Sequence, residues 1–387
     1  MAAPLLTKEF NLLPDQVGLL LSGFFWSYAL FQLVAGWAVD RYDVKWVYAS
    51  GFGIWSIAMV GTGMVGSFIG LIAARVLLGI GESVGYPAIS QIVVRHFEPR
   101  QRGLPNALID VGTKVGPALS TLIGGLVVNR VGWRALFIAM GIGALIWLIP
   151  WLWLMPTGRA SETEQRPAGP TLDELLCRRE VWGTSLAMFS LGYVWYFLLT
   201  WLPSYLVNER HFSMDRMAVM GSLPFWVMAL VTLFGGWFAD QRIARGASPT
   251  RARRTLVLVG LSACGVLILP VGFVADANLA IGLLMAACAA LGLFTSNVWA
   301  ITQTLAGPEA AGQWSGFQNF IGNLGGVASP WIAGLIVKHT GTFGLTFGAA
   351  SFVLFVGVLC HLLLVKEVAP LKWGKGSETL SFEEQES

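Results

Sequence analysis

Charge is what this sequence has least of. Asp, Glu, Lys and Arg make up 12% of its 387 residues, about half the fraction usual in a soluble domain. In their place, 55% of the residues are hydrophobic and tryptophan alone occurs 17 times. So little charge cannot cover a globule in water, which excludes a soluble enzyme and points to a polytopic membrane protein. Cysteine is equally sparse: Cys177, Cys264, Cys288 and Cys360 are scattered, three of them within apolar runs, with no CxxC pair and no metal-ligand spacing. They read as packing residues, and no metal or cofactor is expected. The net charge of +3 is spread over loops, so it reports topology and not a nucleic-acid partner. Met1 opens onto a short polar-apolar mix instead of a charged segment and apolar core, so no cleavable signal peptide is read.

Spanning a hydrocarbon layer of about 30 Å takes about 20 apolar residues. Eleven stretches reach that length: 17–39, 47–66, 68–94, 104–128, 135–155, 181–207, 217–239, 255–274, 279–305, 315–337 and 343–365. Lys and Arg mark cytoplasmic loops. Sorted by alternate loops they divide 17 to 6, which predicts a cytoplasmic C-terminus and, with eleven spans, an outside N-terminus.

Residues 6–40 recur without a gap at 206–240. Leu6/Leu206, Glu9/Glu209, Asp15/Asp215, Ser22/Ser222, Phe25/Phe225, Trp26/Trp226, Ala29/Ala229, Leu30/Leu230, Leu33/Leu233, Gly36/Gly236, Trp37/Trp237 and Asp40/Asp240 are identical. The first span thus matches the seventh, and the repeating unit is six helices of equal orientation. Span 181–207, whose tail aligns with residues 1–10, has no counterpart, so a further helix is expected ahead of Met1. The expected fold is all-α, two pseudo-symmetric six-helix bundles. Residues 1–155 form the first with five spans, and residues 181–366 form the second. A Pro-, Gly- and Arg-containing linker over 156–180, with an amphipathic run at Leu172–Cys177, joins them, and 367–387 is a cytoplasmic tail.

Gly36-Trp-Ala-Val-Asp40-Arg41 resembles the Gly-x-x-x-Asp-Arg loop signature of the major facilitator superfamily, and Gly236 to Arg242 is a weaker second copy. Gly lets two helices approach, and the charges Asp40, Arg41, Asp240 and Arg242 are expected to form a cytoplasmic gate that breaks when that face opens. A narrower resemblance runs through Arg75-Val-Leu-Leu-Gly-Ile-Gly-Glu82-Ser-Val-Gly-Tyr86-Pro87, Phe97-Glu-Pro99-Arg100-Gln-Arg102-Gly103 and Gly132-Trp133-Arg134. It is similar to the anion:cation symporter branch, which includes galactonate and hexuronate transporters, sialin and the vesicular glutamate carriers.

Of the eleven spans only the third and fourth contain Asp, Glu, Lys or Arg. Such groups are costly in a bilayer and usually face a cavity. Arg75 and Glu82, seven residues apart, lie within about 20° on one helix face and about 10 Å apart along it. That spacing suits Arg75 to fork a substrate carboxylate while Glu82 takes up and releases a proton. Asp110 and Lys114, four apart, can pair directly; Asp110 is a second proton-coupling candidate. The resemblance adds Thr113 as a polar ligand and Lys114 as positive potential. In the family's pattern Tyr28, Gln32, Ser296, Asn297, Trp299, Gln318, Asn319 and Asn323 supply contacts to sugar-acid hydroxyls.

Two motifs are set aside. Gly81-Glu-Ser83-Val-Gly85 matches a nucleophile elbow, which needs a strand-to-helix turn, whereas here it lies in an apolar helix. Gly112-x-x-x-Gly116-Pro117 resembles an antiporter signature, but such glycines also permit close packing. The resemblance implies a non-enzymatic, monomeric, plasma-membrane symporter of protons and a small organic anion, a sugar acid. A proton-driven exporter or a truncated, non-transporting relative is the alternative.

Overall fold

The computed structural model describes residues 6, 9–157 and 169–373. The centre of the expected linker and the end of the tail lie outside the described residues. Those described are helical and include no strand. Seven of the helices are long and apolar enough to cross a membrane: Phe68–His96, Arg130–Leu154, Arg179–Glu209, Asp215–Ala244, Thr250–Gly272, Ala277–Thr340 and Gly344–Leu364. Their outer faces carry Ile69, Trp153, Leu154 and Phe352, each at least 69% exposed. Large apolar side chains turned outward in this number are what a lipid-facing surface requires.

Pro14–Arg41 and Val44–Met64 follow the first two expected spans, and Leu172–Cys177 forms the short helix expected in the linker, with Thr171 capping it. The third expected span is not one uninterrupted helix. Phe68–Glu82 stops at Ser83, and Gly85–His96 resumes after a turn. The cause is Pro87, which has no N–H to give the carbonyl of Ser83 and whose ring crowds it.

Two stretches, Gly103–Leu154 with 52 residues and Ala277–Thr340 with 64, each consist of two helices joined at a kink. Each is broken by one glycine, Gly132 at φ 82° and Gly307 at φ 65°, in backbone regions open essentially to glycine alone.

Helix contacts divide the chain into two compact units. One comprises Met1–Ile92, Val115–Gly169 and Glu309–Phe320; the other comprises Val93–Lys114, Pro170–Pro308 and Ile321–Ser387. Each unit therefore takes a short segment from the opposite end of the chain. In the first, Phe68–Glu82 is held through glycines on two sides: Gly79 meets the backbone of Phe24 and Tyr28, and Gly81 meets Gly51 and Trp55. In the second, Arg179–Ser204 packs on Gly344–Leu364. Ser190 Oγ donates to the Val353 carbonyl at 2.9 Å, and the rings of Phe197 and Phe347 are 5.1 Å apart, edge to face.

Candidate functional site

Gly79 sits between Arg75 and Glu82 in sequence and, at i+4 and i+7 from Arg75, all three share one helix face. Because Gly79 lacks a side chain, that face closes directly on the helix bearing Tyr28. Arg75 is half-buried, with its guanidinium 5.9 Å from the centre of the Phe137 ring. Among the described residues, neither Arg75 nor Glu82 makes a hydrogen bond or an ion pair.

Tyr28 stacks on Phe24 at 5.5 Å, and its hydroxyl accepts a hydrogen bond from Asn319 Nδ2 at 3.2 Å. One turn further, Gln32 is wholly buried, and neither its Nε2 nor its Oε1 has a partner among the described residues. Buried amides are nearly always satisfied, so Gln32 invites a missing partner. Gln318 is buried beside Asn319. The first unit thus holds six of the expected ligands and coupling groups: Arg75, Glu82, Tyr28, Gln32, Gln318 and Asn319.

The second unit holds the others. Lys114 Nζ lies 2.6 Å from Asp110 Oδ2, the pair expected from the sequence, and 5.2 Å above the Trp195 ring. Thr113 Oγ1 donates to the Asp110 carbonyl at 2.7 Å. The Tyr196 hydroxyl donates to Asn323 Oδ1 at 3.2 Å. Trp195 and Tyr196 escaped the sequence reading, although they form an aromatic pair in the middle of an apolar span. Ser296 is fully buried, with no partner for its hydroxyl among the described residues, and Trp299 is buried nearby in sequence. Asn297 spends its amide on structure, donating to the carbonyls of Leu293 and Gly235 at 2.9 and 3.3 Å. Gly112 and Gly116 meet nothing within 4 Å of an added Cβ among the described residues.

The two signature copies build near-identical locks, one in each unit. In the first, the Asp40 carboxylate accepts from the N–H groups of Gly312 and Gln313, both at 2.7 Å, and from Gln91 Nε2 at 2.6 Å. In the second, Asp240 accepts from the N–H groups of Gly103 and Leu104 at 3.0 and 2.8 Å. These N–H groups open the helix Gly103–Leu154, where a carboxylate satisfies unbonded donors and meets the positive end of the helix dipole.

Asp240 also pairs with Arg253 at 2.6 Å, a guanidinium with no exposed side-chain surface. Arg253 donates as well to the Pro99 carbonyl at 2.9 Å. The arginines next to the signature aspartates lie elsewhere, Arg41 over the Trp37 ring and Arg242 over the Phe238 ring. Arg102 gives its donors to the carbonyls of Val94, Phe97 and Gln303. Burial, helped by the charge of Arg253, pushes it down to about 10. Asn106 and Gln303 exchange amide hydrogen bonds at 2.8 and 3.0 Å. Gly103 and Gly312 were missed as lock residues for want of one comparison: Pro99-x-x-x-Gly103 recurs as Pro308-x-x-x-Gly312, at an offset slightly longer than that of the signature.

Long apolar helices closed on one another through glycine, with Arg75, Glu82, Asp110, Lys114 and His361 inside them and aspartates clasping helix starts, define an all-helical multi-pass membrane transporter. The chain belongs to the Major Facilitator Superfamily, whose model matches residues 1–330. It is 29% identical to the hexuronate transporter of Bacillus subtilis (strain 168), over 96% of this chain and 90% of that protein. It is 27% identical to the D-galactonate transporter of Escherichia coli O6:H1, over 95% and 91%. Among solved structures, a double Trp mutant of XylE superposes with a TM-score of 0.79 at 14% identity, over 99% of this chain and 94% of that one. The family and these relatives are transporters, and the chain is not an enzyme.

Proposed function

We propose that this protein is a proton-coupled symporter of a small organic anion, a sugar acid of the galactonate or hexuronate kind, in the plasma membrane. The observation that carries the reading is the pair Arg75 and Glu82: one cation and one acid on a single face of an apolar helix, without polar partners among the described residues. Charges are kept inside a bilayer at a cost and usually for function. Arg75 offers a planar fork of donors that matches a carboxylate. Glu82 carries the proton. Tyr28, Gln32 and Asn319, with Ser296 and Asn323, read the hydroxyls of the substrate. The names of the relatives support the substrate class.

On this reading the chain crosses the membrane eleven times, six of the spans in the second half, with the C-terminus cytoplasmic. Transport follows by rocking of two halves about a midplane site in a monomer. The Asp40 and Asp240 locks form when the cytoplasmic face is shut. Arg253 takes the place expected for Arg242 as the cation of the second lock. Asp110 serves proton coupling only indirectly, through Lys114.

The test is uptake of labelled D-galactonate and D-glucuronate into proteoliposomes of the purified chain, with and without an inward proton gradient. Gradient-driven accumulation supports symport; uptake indifferent to the gradient rules it out. Arg75→Lys, which lacks the fork, is expected to lose affinity for the anion while the protein still folds.

A further inference from the structure

Residues 242–254 hold five arginines, and no Asp or Glu occurs between Asp240 and Asp276. The whole stretch belongs to the second unit. Two of the five are spent inside it: Arg253 is buried on Asp240, and Arg254 Nη2 donates to the carbonyl of Leu362, next in sequence to the buried His361, at 2.7 Å. Arg245 and Arg251 are exposed, and among the described residues their side chains make no hydrogen bond or ion pair.

The loop that presents them is held. The Asp240–Arg253 pair closes it, Gly246 turns it at φ 95°, and the Ser248 hydroxyl accepts from the N–H of Arg251 at 3.2 Å. The Val368 N–H donates to Thr250 Oγ1 at 2.9 Å and so brings Lys366 and Glu367 of the tail to the same end. Their opposite charges offset one another, and Glu367 forms no ion pair among the described residues.

Each of the two arginines ends an outward apolar stripe. On Met214–Ala244, Leu230, Phe234 and Trp237 are each at least 46% exposed, and Gln241 and Arg245 continue the same face at steps of four. On the next span Val266 and Val259 are equally exposed, and steps of four lead back through the exposed Thr255 to Arg251. Apolar stripes suit acyl chains, and a tryptophan such as Trp237 sits well at headgroup level. Guanidinium forks at their ends match phosphate.

We propose that Arg245 and Arg251 hold the phosphate of an anionic phospholipid whose acyl chains lie along these two stripes. Unlike a zwitterionic lipid, it has no amine of its own to compete for that phosphate.

The internal repeat supplies a comparison. Trp26, Leu30, Val34 and Trp37 give the first unit an equivalent exposed stripe. Its loop differs: Arg41 lies over the Trp37 ring, Lys45 is buried over Trp46, and Asp43 stands between them. Acyl chains alone would treat the two stripes alike, whereas a charged headgroup would not. An arginine at an anionic membrane surface is worth about fivefold in affinity, so two should favour the anionic lipid roughly thirtyfold.

The test places the full chain, with its four native cysteines replaced and Gln241→Cys carrying a fluorophore, in nanodiscs containing brominated lipid. Brominated phosphatidylglycerol should quench at a mole fraction about thirtyfold lower than brominated phosphatidylcholine does. Arg245→Gln with Arg251→Gln, both exposed and remote from the Asp240 pair, should bring the two lipids within a few-fold of each other. A probe on Tyr42→Cys, at the matching end of the first unit's stripe, should show a preference of about fivefold at most, the share of Arg41.

Equal quenching by the two lipids at position 241, equal preference at both probes, or a preference undiminished in the double variant overturns the proposal. A preference that appears only after residues 374–387 are removed gives the arginines to Glu378, Glu383, Glu384 and Glu386 of the chain's own tail. One abolished by millimolar inorganic phosphate at constant ionic strength gives them to a free anion. Either result also overturns it. None of these readings involves transport, so the symport reading is tested separately.

Discussion

Gly36 and Gly312 lie so close that each occupies the space of the other's missing side chain. A Cβ on Gly36 would stand 2.5 Å from the Gly312 carbonyl oxygen, and one on Gly312 would stand 2.6 Å from that of Gly36. Gly236 and Gly103 repeat the arrangement, with the Gly103 carbonyl 2.5 Å from a Cβ on Gly236. The glycine spacing and the aspartate four residues later thus serve one act: the first brings two backbones together, and the second ties the N–H groups so exposed.

Overpacking at that contact should unlatch it. Gly36→Val is expected to disfavour the closed arrangement by about 1–3 kcal/mol, the usual cost of forcing extra methyl groups into a packed contact. The check is labelling of a cysteine at Ser315, which is buried and bonded to Ser90 at 2.7 Å, with the four native cysteines replaced. A membrane-impermeant maleimide should react several-fold faster in the valine variant; an unchanged rate would mean that the glycines do not latch the structure.

The second lock depends on a buried ion pair. Asp240→Asn strands the Arg253 guanidinium without its counter-charge, and breaking a buried pair from one side costs about 3–5 kcal/mol. Thermal melting of the detergent-solubilised protein should fall accordingly. Removing the cation too, in Asp240→Asn with Arg253→Gln, should recover part of the loss. A double variant no more stable than the single one would argue against the pairing as the main term.

Just past the Gly132 kink, Glu9 gathers Trp133 Nε1 at 2.7 Å and Arg134 Nη2 at 2.7 Å. The hydrogen bond from Arg134, then that from Trp133, hold the Glu9 carboxyl below its ordinary 4.5. A carboxyl lowered on folding adds stability above its unfolded value, and that stability is lost as the pH falls through the folded one. Glu9→Gln should therefore melt earlier than the intact protein near neutrality. The difference should shrink below about pH 4.5; a gap that persists at pH 3 would assign it to something other than ionisation.

Gln32 separates structure from binding. Its amide is buried without partners, so Gln32→Leu removes an unsatisfied group and should raise the melting temperature. If the amide meets a substrate hydroxyl, the same change should weaken anion binding about tenfold, in line with a lost hydrogen bond. Higher stability with undiminished affinity would take Gln32 out of the site.

Much of this was legible in the sequence because it rests on identity at a fixed period. The repeat aligned Gly36 with Gly236 and Asp40 with Asp240, and the sparsity of charge picked out Arg75, Glu82, Asp110 and Lys114. What the sequence hid are contacts made by backbone. Gly312, Gln313, Gly103 and Leu104 take part through N–H groups, which leave no residue-type signature. Arg253 was hidden because it lies thirteen residues beyond its aspartate, while Arg242, nearer in sequence, turns to Phe238. The break after Glu82 was hidden because the apolar run around Pro87 reads as continuous.

The account stands on Glu82 carrying the proton while Arg75 holds the anion. Glu82→Gln in proteoliposomes tests this most directly, by comparing galactonate counterflow with accumulation driven by an inward proton gradient. Counterflow should persist and accumulation should fall to the level seen without a gradient. A glutamine variant that still concentrates galactonate against its gradient as the intact protein does would contradict the mechanism.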